Sequence, residues 1–83
     1  MNDFVAHILV VDDDEGIRSL IKQYLNENNF LVTTSDSAEN AEEKISIIKF
    51  DLIVLDVMMT GKSGLEFIKE YRSKINTPII LNP

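Results

Sequence analysis

The sequence predicts an α/β domain: a parallel sheet with helices packed on its faces. Two observations carry this. Four short runs of apolar, mostly β-branched residues alternate with segments in which apolar residues recur at helical spacing. Two of those runs also end in carboxylates, "ILVVDDDEG" at residues 8 to 16 and "DLIVLD" at residues 51 to 56. That placement suits strands whose carboxyl ends face a common crevice.

The elements follow in order. His7 to Val11 (HILVV) is a continuous apolar run, as expected of a strand buried on both faces. Asp14 is placed to cap a helix that starts near Glu15. In it Ile17, Leu20, Ile21, Tyr24 and Leu25 form one apolar stripe, and Asn28 and Asn29 suit its end. Phe30 to Ser35 (FLVTTS) reads as the second strand. Ser37 is the next N-cap, before a weaker stripe of Ala38, Ala41, Ile45 and Ile48.

Asp51 to Leu55 (DLIVL) is the third strand, closed by Asp56. A loop, MMTGKSG, leads into a helix whose Ser63 and Glu66 have capping-box spacing. Leu65, Phe67, Ile68 and Tyr71 supply that helix with an apolar side. Thr77 to Leu81 (TPIIL) is a fourth strand, with Pro78 at its start, where a missing N–H is tolerated. One domain spanning residues 1–83 is expected, with no internal repeat or linker.

Bulk composition excludes several classes. The net charge of −6 argues against direct nucleic-acid binding by this domain. Without cysteine there are no disulfides and no thiolate metal sites. No apolar run is long enough to span a membrane, and the N-terminus lacks a signal-peptide pattern, so a cytoplasmic domain is expected.

The acids carry the chemistry. If the first and third strands are neighbours, Asp12, Asp13 and Asp56 converge. Like charges crowded together need a cation among them, and a loose set of hard oxygen ligands suits Mg²⁺. A carboxylate beside Mg²⁺ can also act as a nucleophile toward phosphorus. Asp56 stands alone at its strand end and is the better nucleophile; Asp12 and Asp13 are the better ligands. Asp14 and Glu15 are expected only to cap and favour the helix start. His7 reads as an ordinary strand residue, and Met58 and Met59 as local packing.

At these residues the chain resembles the receiver domain of two-component response regulators. "ILVVDDDEGIRSLIKQYL" resembles the family's opening, "DLIVLDVMMTGKSGLEFIKEYR" its phosphoacceptor segment, and "TPIIL" its fourth strand. The resemblance implies a flavodoxin-like, doubly wound parallel sheet, here in the order 2-1-3-4. It implies that Asp56 accepts a phosphoryl group from a histidine kinase. Asp13 and Asp56 would bind Mg²⁺ directly, the backbone carbonyl of Met58 would add a ligand, and Asp12 would act mainly through water. A signalling domain rather than a conventional enzyme is expected.

The chain departs from the family at Thr60, where proline is usual, at Ser63, where an acid is frequent, and after Asn82 and Pro83. The family continues with a helix, a fifth strand ending in lysine and a last helix. The expectation is a receiver truncated after its fourth strand, and none of Lys62, Lys69 or Lys74 fits the family lysine. An exposed fourth strand would favour homodimers or higher oligomers. The alternative is a receiver without a working switch, acting as an interaction module or as a remnant. A small Mg²⁺-dependent phosphatase is a further reading, disfavoured because Met58 stands where such enzymes commonly carry a second aspartate.

Overall fold

The structure, a computed structural model, describes residues 4–59 and 63–82. The element order is β1 (His7–Val11), α1 (Glu15–Glu27), β2 (Leu31–Ser35), α2 (Ala38–Ile47), β3 (Leu52–Asp56), α3 (Gly64–Tyr71) and β4 (Ile79–Asn82). All strand pairs are parallel, and the sheet order is β2-β1-β3-β4. The expected alternation and strand order are therefore present. Boundaries shift slightly. Phe30, Asp51, Thr77 and Pro78 lie outside the strands, Asp56 and Asn82 lie inside them, and Ile48 is the C-cap of α2.

Local chemistry accounts for the helix ends. The Asp14 carboxylate accepts the Ile17 N–H at 2.9 Å, and Ser37 Oγ accepts the Asn40 N–H at 3.0 Å. Helix α1 closes with the Phe30 N–H on the Leu25 carbonyl and the Asn29 N–H on the Asn26 carbonyl, both at 3.1 Å. This is a Schellman motif, with Asn29 in the left-handed region at φ 69°. Ser63 Oγ accepts the Glu66 N–H at 3.2 Å. The Lys44 ammonium donates to the Thr34 carbonyl on the outer strand β2.

Strand alternation divides the interior into two unequal layers. One face joins Leu9, Val11, Ile53 and Leu55 to Ala38, Ala41, Phe50, Met59 and Phe67 in a single buried cluster, with Ile45, Ile48 and Tyr71 packed against it. The other face holds Ile8, Val10 and Val32, covered in part by Ile21 and Leu25 of α1.

Two expectations are corrected here. The α1 stripe is only partly used: Ile17, Leu20 and Tyr24 are exposed, Leu20 by 68% and Tyr24 by 64%. Only Ile21 and Leu25 reach the sheet, because α1 crosses a narrow strip over β1 and β2. On α3, Leu65 faces outward at 60% exposure; Phe67, Ile68 and Tyr71 form the packed side.

This division predicts unequal mutational costs. Phe67→Ala empties a fully buried site and should cost about 3–5 kcal/mol. Leu20→Ala should stay within about 0.5 kcal/mol. Urea melts of the two variants against the parent chain check this, and equal costs would contradict the packing.

Candidate functional site

The β1–β3 register decides where the acids meet. Val11 pairs with Leu55, so Asp12 follows β1 at the level where Asp56 ends β3. Asp13 comes next, on the β1–α1 loop. Carboxylate oxygens of Asp12, Asp13 and Asp56 lie within 4.8 Å of one another. Asp12 is buried at 3% exposure, Asp56 is half-buried and Asp13 is exposed. The set thus opens to solvent on one side.

Asp12 and Asp56 are tethered by main-chain groups two residues on. Asp12 Oδ1 accepts the Asp14 N–H at 2.9 Å, and the Asp12 N–H donates to the Ser35 carbonyl at 3.1 Å. Asp56 Oδ1 accepts the Met58 N–H at 3.0 Å. Met58 therefore sits beside Asp56, but its side chain is 79% exposed and does not pack as expected; Met59 is buried in the larger cluster. The loop turns sharply here, which sends neighbouring side chains opposite ways. Thr60, Gly61 and Lys62 lie outside the described residues, and so does Pro83.

Electrostatics record the crowding. Burial, then the charge of Asp56 and a hydrogen bond shared with it, then the charge of Asp13, push the Asp12 carboxyl above its ordinary pKa. The Asp14 N–H opposes this by favouring the charged form. The donor set is all hard oxygen, clustered and open to water, and so fits a Mg²⁺ ion that keeps several waters.

Two further residues, Arg18 and Gly64, bear on the site. Arg18 Nη1 donates to the Asp12 carbonyl at 2.8 Å, placing a guanidinium against the β1–α1 loop. A cation three residues after the acidic run was the available signal. Gly64 packs against the main chain of Asp56 and Val57. Only its place one residue after a helix cap hinted at this.

Other candidates keep modest roles. His7 Nε2 lies 2.6 Å from Thr33 Oγ1, and its ring meets Phe50 edge-on at 4.8 Å. A cleft of about 590 Å³ opens at the amino ends of β3 and β4, lined by Ile48, Phe50 and Thr77 among others, far from the acids. Tyr71 stacks on Phe67 at 4.9 Å.

The raised Asp12 pKa has a definite sign for stability. A carboxyl that is harder to ionise when folded contributes stability below the ordinary pKa, and this is lost as pH rises through the native value. Asp12→Asn cannot ionise and keeps the acceptor for the Asp14 N–H. In chelated buffer its thermal midpoint should rise relative to the parent between about pH 4 and pH 7. A difference that stays flat across that range would show that the acids are not in tension.

Comparison with known proteins adds a separate line. A sequence model for the "Response regulator receiver domain" matches residues 8–82. The protein PetR of Rhodobacter capsulatus is 49% identical over 75 residues, covering 90% of this chain and 32% of that protein. The transcriptional regulatory protein ResD of Bacillus subtilis is 44% identical over 77 residues, covering 89% and 31%. The chain thus spans about a third of the length of these relatives. Among solved structures, the response regulator TrrA of Thermotoga maritima, in complex with Mg(2+)-BeF, superposes with a TM-score of 0.87 at 41% identity, over 93% of this chain and 68% of that one. The chemotaxis protein CheY4 of Vibrio cholerae gives 0.89 at 32% identity, over 94% and 68%. No helix among the described residues is long and apolar enough to cross a membrane. The chain, with its β2-β1-β3-β4 sheet and its acids gathered at one end, belongs to the response regulator receiver domain family.

Proposed function

We propose that this chain is a phosphoryl-accepting signalling domain of a cytoplasmic two-component system, with Asp56 as the acceptor and Mg²⁺ at the three acids. The observation that carries the reading is the convergence of Asp12, Asp13 and Asp56 within 4.8 Å at the carboxyl ends of adjacent strands. The Mg(2+)-BeF complex of the Thermotoga relative supports it by likeness.

The roles divide by position. Asp13 and Asp56 would hold the ion, with the Met58 carbonyl as a third protein ligand, and Asp12 would act mainly through bound water. Mg²⁺, when bound, neutralises charge on the phosphoryl oxygens. One Asp56 carboxylate oxygen attacks phosphorus, forming the aspartyl P–O bond. The P–N bond to the donor histidine breaks, and its imidazole nitrogen keeps the electron pair and takes up a proton. The Met58 N–H on Asp56 Oδ1 helps to orient the carboxylate. The partner is a histidine kinase, and the domain works as a switch rather than as a turnover enzyme.

Residues 1–83 form one such receiver unit. Regulation of transcription, as the names of several relatives state for those proteins, would belong to parts of a longer protein. A second feature favours self-association: β4 is an edge strand, and Ile80 and Leu81 are 53% and 40% exposed. Copies would pair along β4, and sedimentation at rising concentration should show dimers or larger species. A monomer throughout would remove that part.

Two experiments test the acceptor reading. Mg²⁺ at tenfold over its Kd should stabilise the folded chain by about 1.4 kcal/mol, and Asp56→Asn should lessen the effect. Acetyl phosphate with Mg²⁺ should add one phosphoryl group to the parent chain by intact-mass measurement and none to Asp56→Asn. Equal labelling of both chains would place the acceptor elsewhere.

A further inference from the structure

We propose that Gly64 is a positioning residue for the acidic site. By lacking a side chain, it lets the first turn of α3 rest on the Asp56–Val57 peptide, and that contact sets where the Asp56 carboxylate and the Met58 main chain lie. This deepens the reading of the site as a Mg²⁺ and phosphoryl centre and rests on it.

The geometry is close. A Cβ at position 64 would stand 2.6 Å from the Asp56 carbonyl oxygen, 2.9 Å from Val57 Cα and 3.3 Å from the Asp56 carbonyl carbon. All three are main-chain atoms, so no side chain can turn aside to make room. The Gly64 N–H also donates to the Val57 carbonyl at 3.4 Å. The contact thus touches the residue that carries the acceptor carboxylate and the one after it.

Neither side of this contact yields easily. One turn into α3, Phe67 is fully buried in the larger core, so the helix cannot retreat without opening that core. On the loop side Met59 is buried in the same cluster. Asp56, Val57 and Met58 directly precede the Met59 anchor, with the Met58 N–H on Asp56 Oδ1 at 3.0 Å. A methyl group at position 64 therefore pushes on the acceptor peptide. A displacement of about 1 Å at a reacting group can cost on the order of a hundredfold in rate, so it matters for a site of this kind.

Ser63 supplies a gentler probe of the same contact. Its hydroxyl caps α3 by accepting the Glu66 N–H, as Ser37 caps α2 by accepting the Asn40 N–H. Ser63→Ala and Ser37→Ala remove the same chemistry from two helix starts. Only the first lies beside Asp56 in the chain fold.

The experiment uses the 83-residue chain and three variants, Gly64→Ala, Ser63→Ala and Ser37→Ala. Two quantities are read: the Mg²⁺ concentration at the midpoint of the rise in thermal stability, and the Met58 amide resonance without metal. Gly64→Ala should raise the Mg²⁺ midpoint at least tenfold and shift the Met58 amide. Ser63→Ala should do so about threefold, with a smaller shift. Ser37→Ala should leave both unchanged.

A Gly64→Ala midpoint within twofold of the parent, with an unmoved Met58 amide, would overturn the proposal. If Gly64→Ala gives no cooperative melt, Ser63→Ala decides, and its matching Ser37→Ala in both readouts overturns the proposal. If the parent chain ignores Mg²⁺, the metal reading fails on its own. The Met58 amide then decides alone: a shift in Gly64→Ala supports the positioning role, and no shift overturns it.

Discussion

The parallel register between β1 and β3 is the constraint on which the rest depends. Pairing Val11 with Leu55 fixes the buried faces of both strands and the spot where their acids end. In a sheet a slip of one residue sends every side chain to the opposite face. Here it would drive Leu9 and Val11 out of the larger core while separating Asp12 from Asp56. The stability of the core and the assembly of the acids are thus one choice of register. The apolar runs enforce it, since Leu9, Ile53 and Leu55 are almost wholly enclosed.

That register places like charges where they repel, and the scaffold holds them there. Asp12 is enclosed and pushed toward its neutral form by its surroundings. The opposing contribution is local, the Asp14 N–H on its carboxylate, and the Arg18 guanidinium holds its main-chain carbonyl. Both come from the start of α1, so the helix that Asp14 caps also steadies the loop that carries Asp12 and Asp13. An acid cluster built in this way favours a cation, because an added positive charge removes a repulsion that folding alone leaves in place.

Much of this was legible in the sequence. The strands announced themselves by continuous β-branched runs, the helix starts by Asp14, Ser37 and Ser63, and the convergence of the acids by their place at strand ends. What periodicity cannot give is depth of cover. Ile17, Leu20 and Tyr24 share a stripe with Ile21 and Leu25, yet only the last two meet the sheet. A stripe shows which side of a helix is apolar, not how wide a surface awaits it. Met58 and Met59 are adjacent and chemically identical, and a turn set by Asp56 separates their fates. Arg18 and Gly64 meet main-chain atoms of other residues, and such contacts leave no pairing of side-chain types to read.

The two halves of the site belong to differently packed layers. Asp56 and its loop are tied through Met59, Gly64 and Phe67 to the larger core beneath α2 and α3. Asp12 and Asp13 lead into α1, which covers the smaller cluster and buries no residue fully. One side of the acid cluster is therefore set rigidly, and the other rests on a helix with fewer apolar contacts. Sub-global opening follows such differences in burial, so the α1 side is where the cluster has freedom to adjust. An ion shared by Asp13 and Asp56 would join the looser layer to the firmer one. Charge at the strand ends and packing of the layers would then respond to the same event.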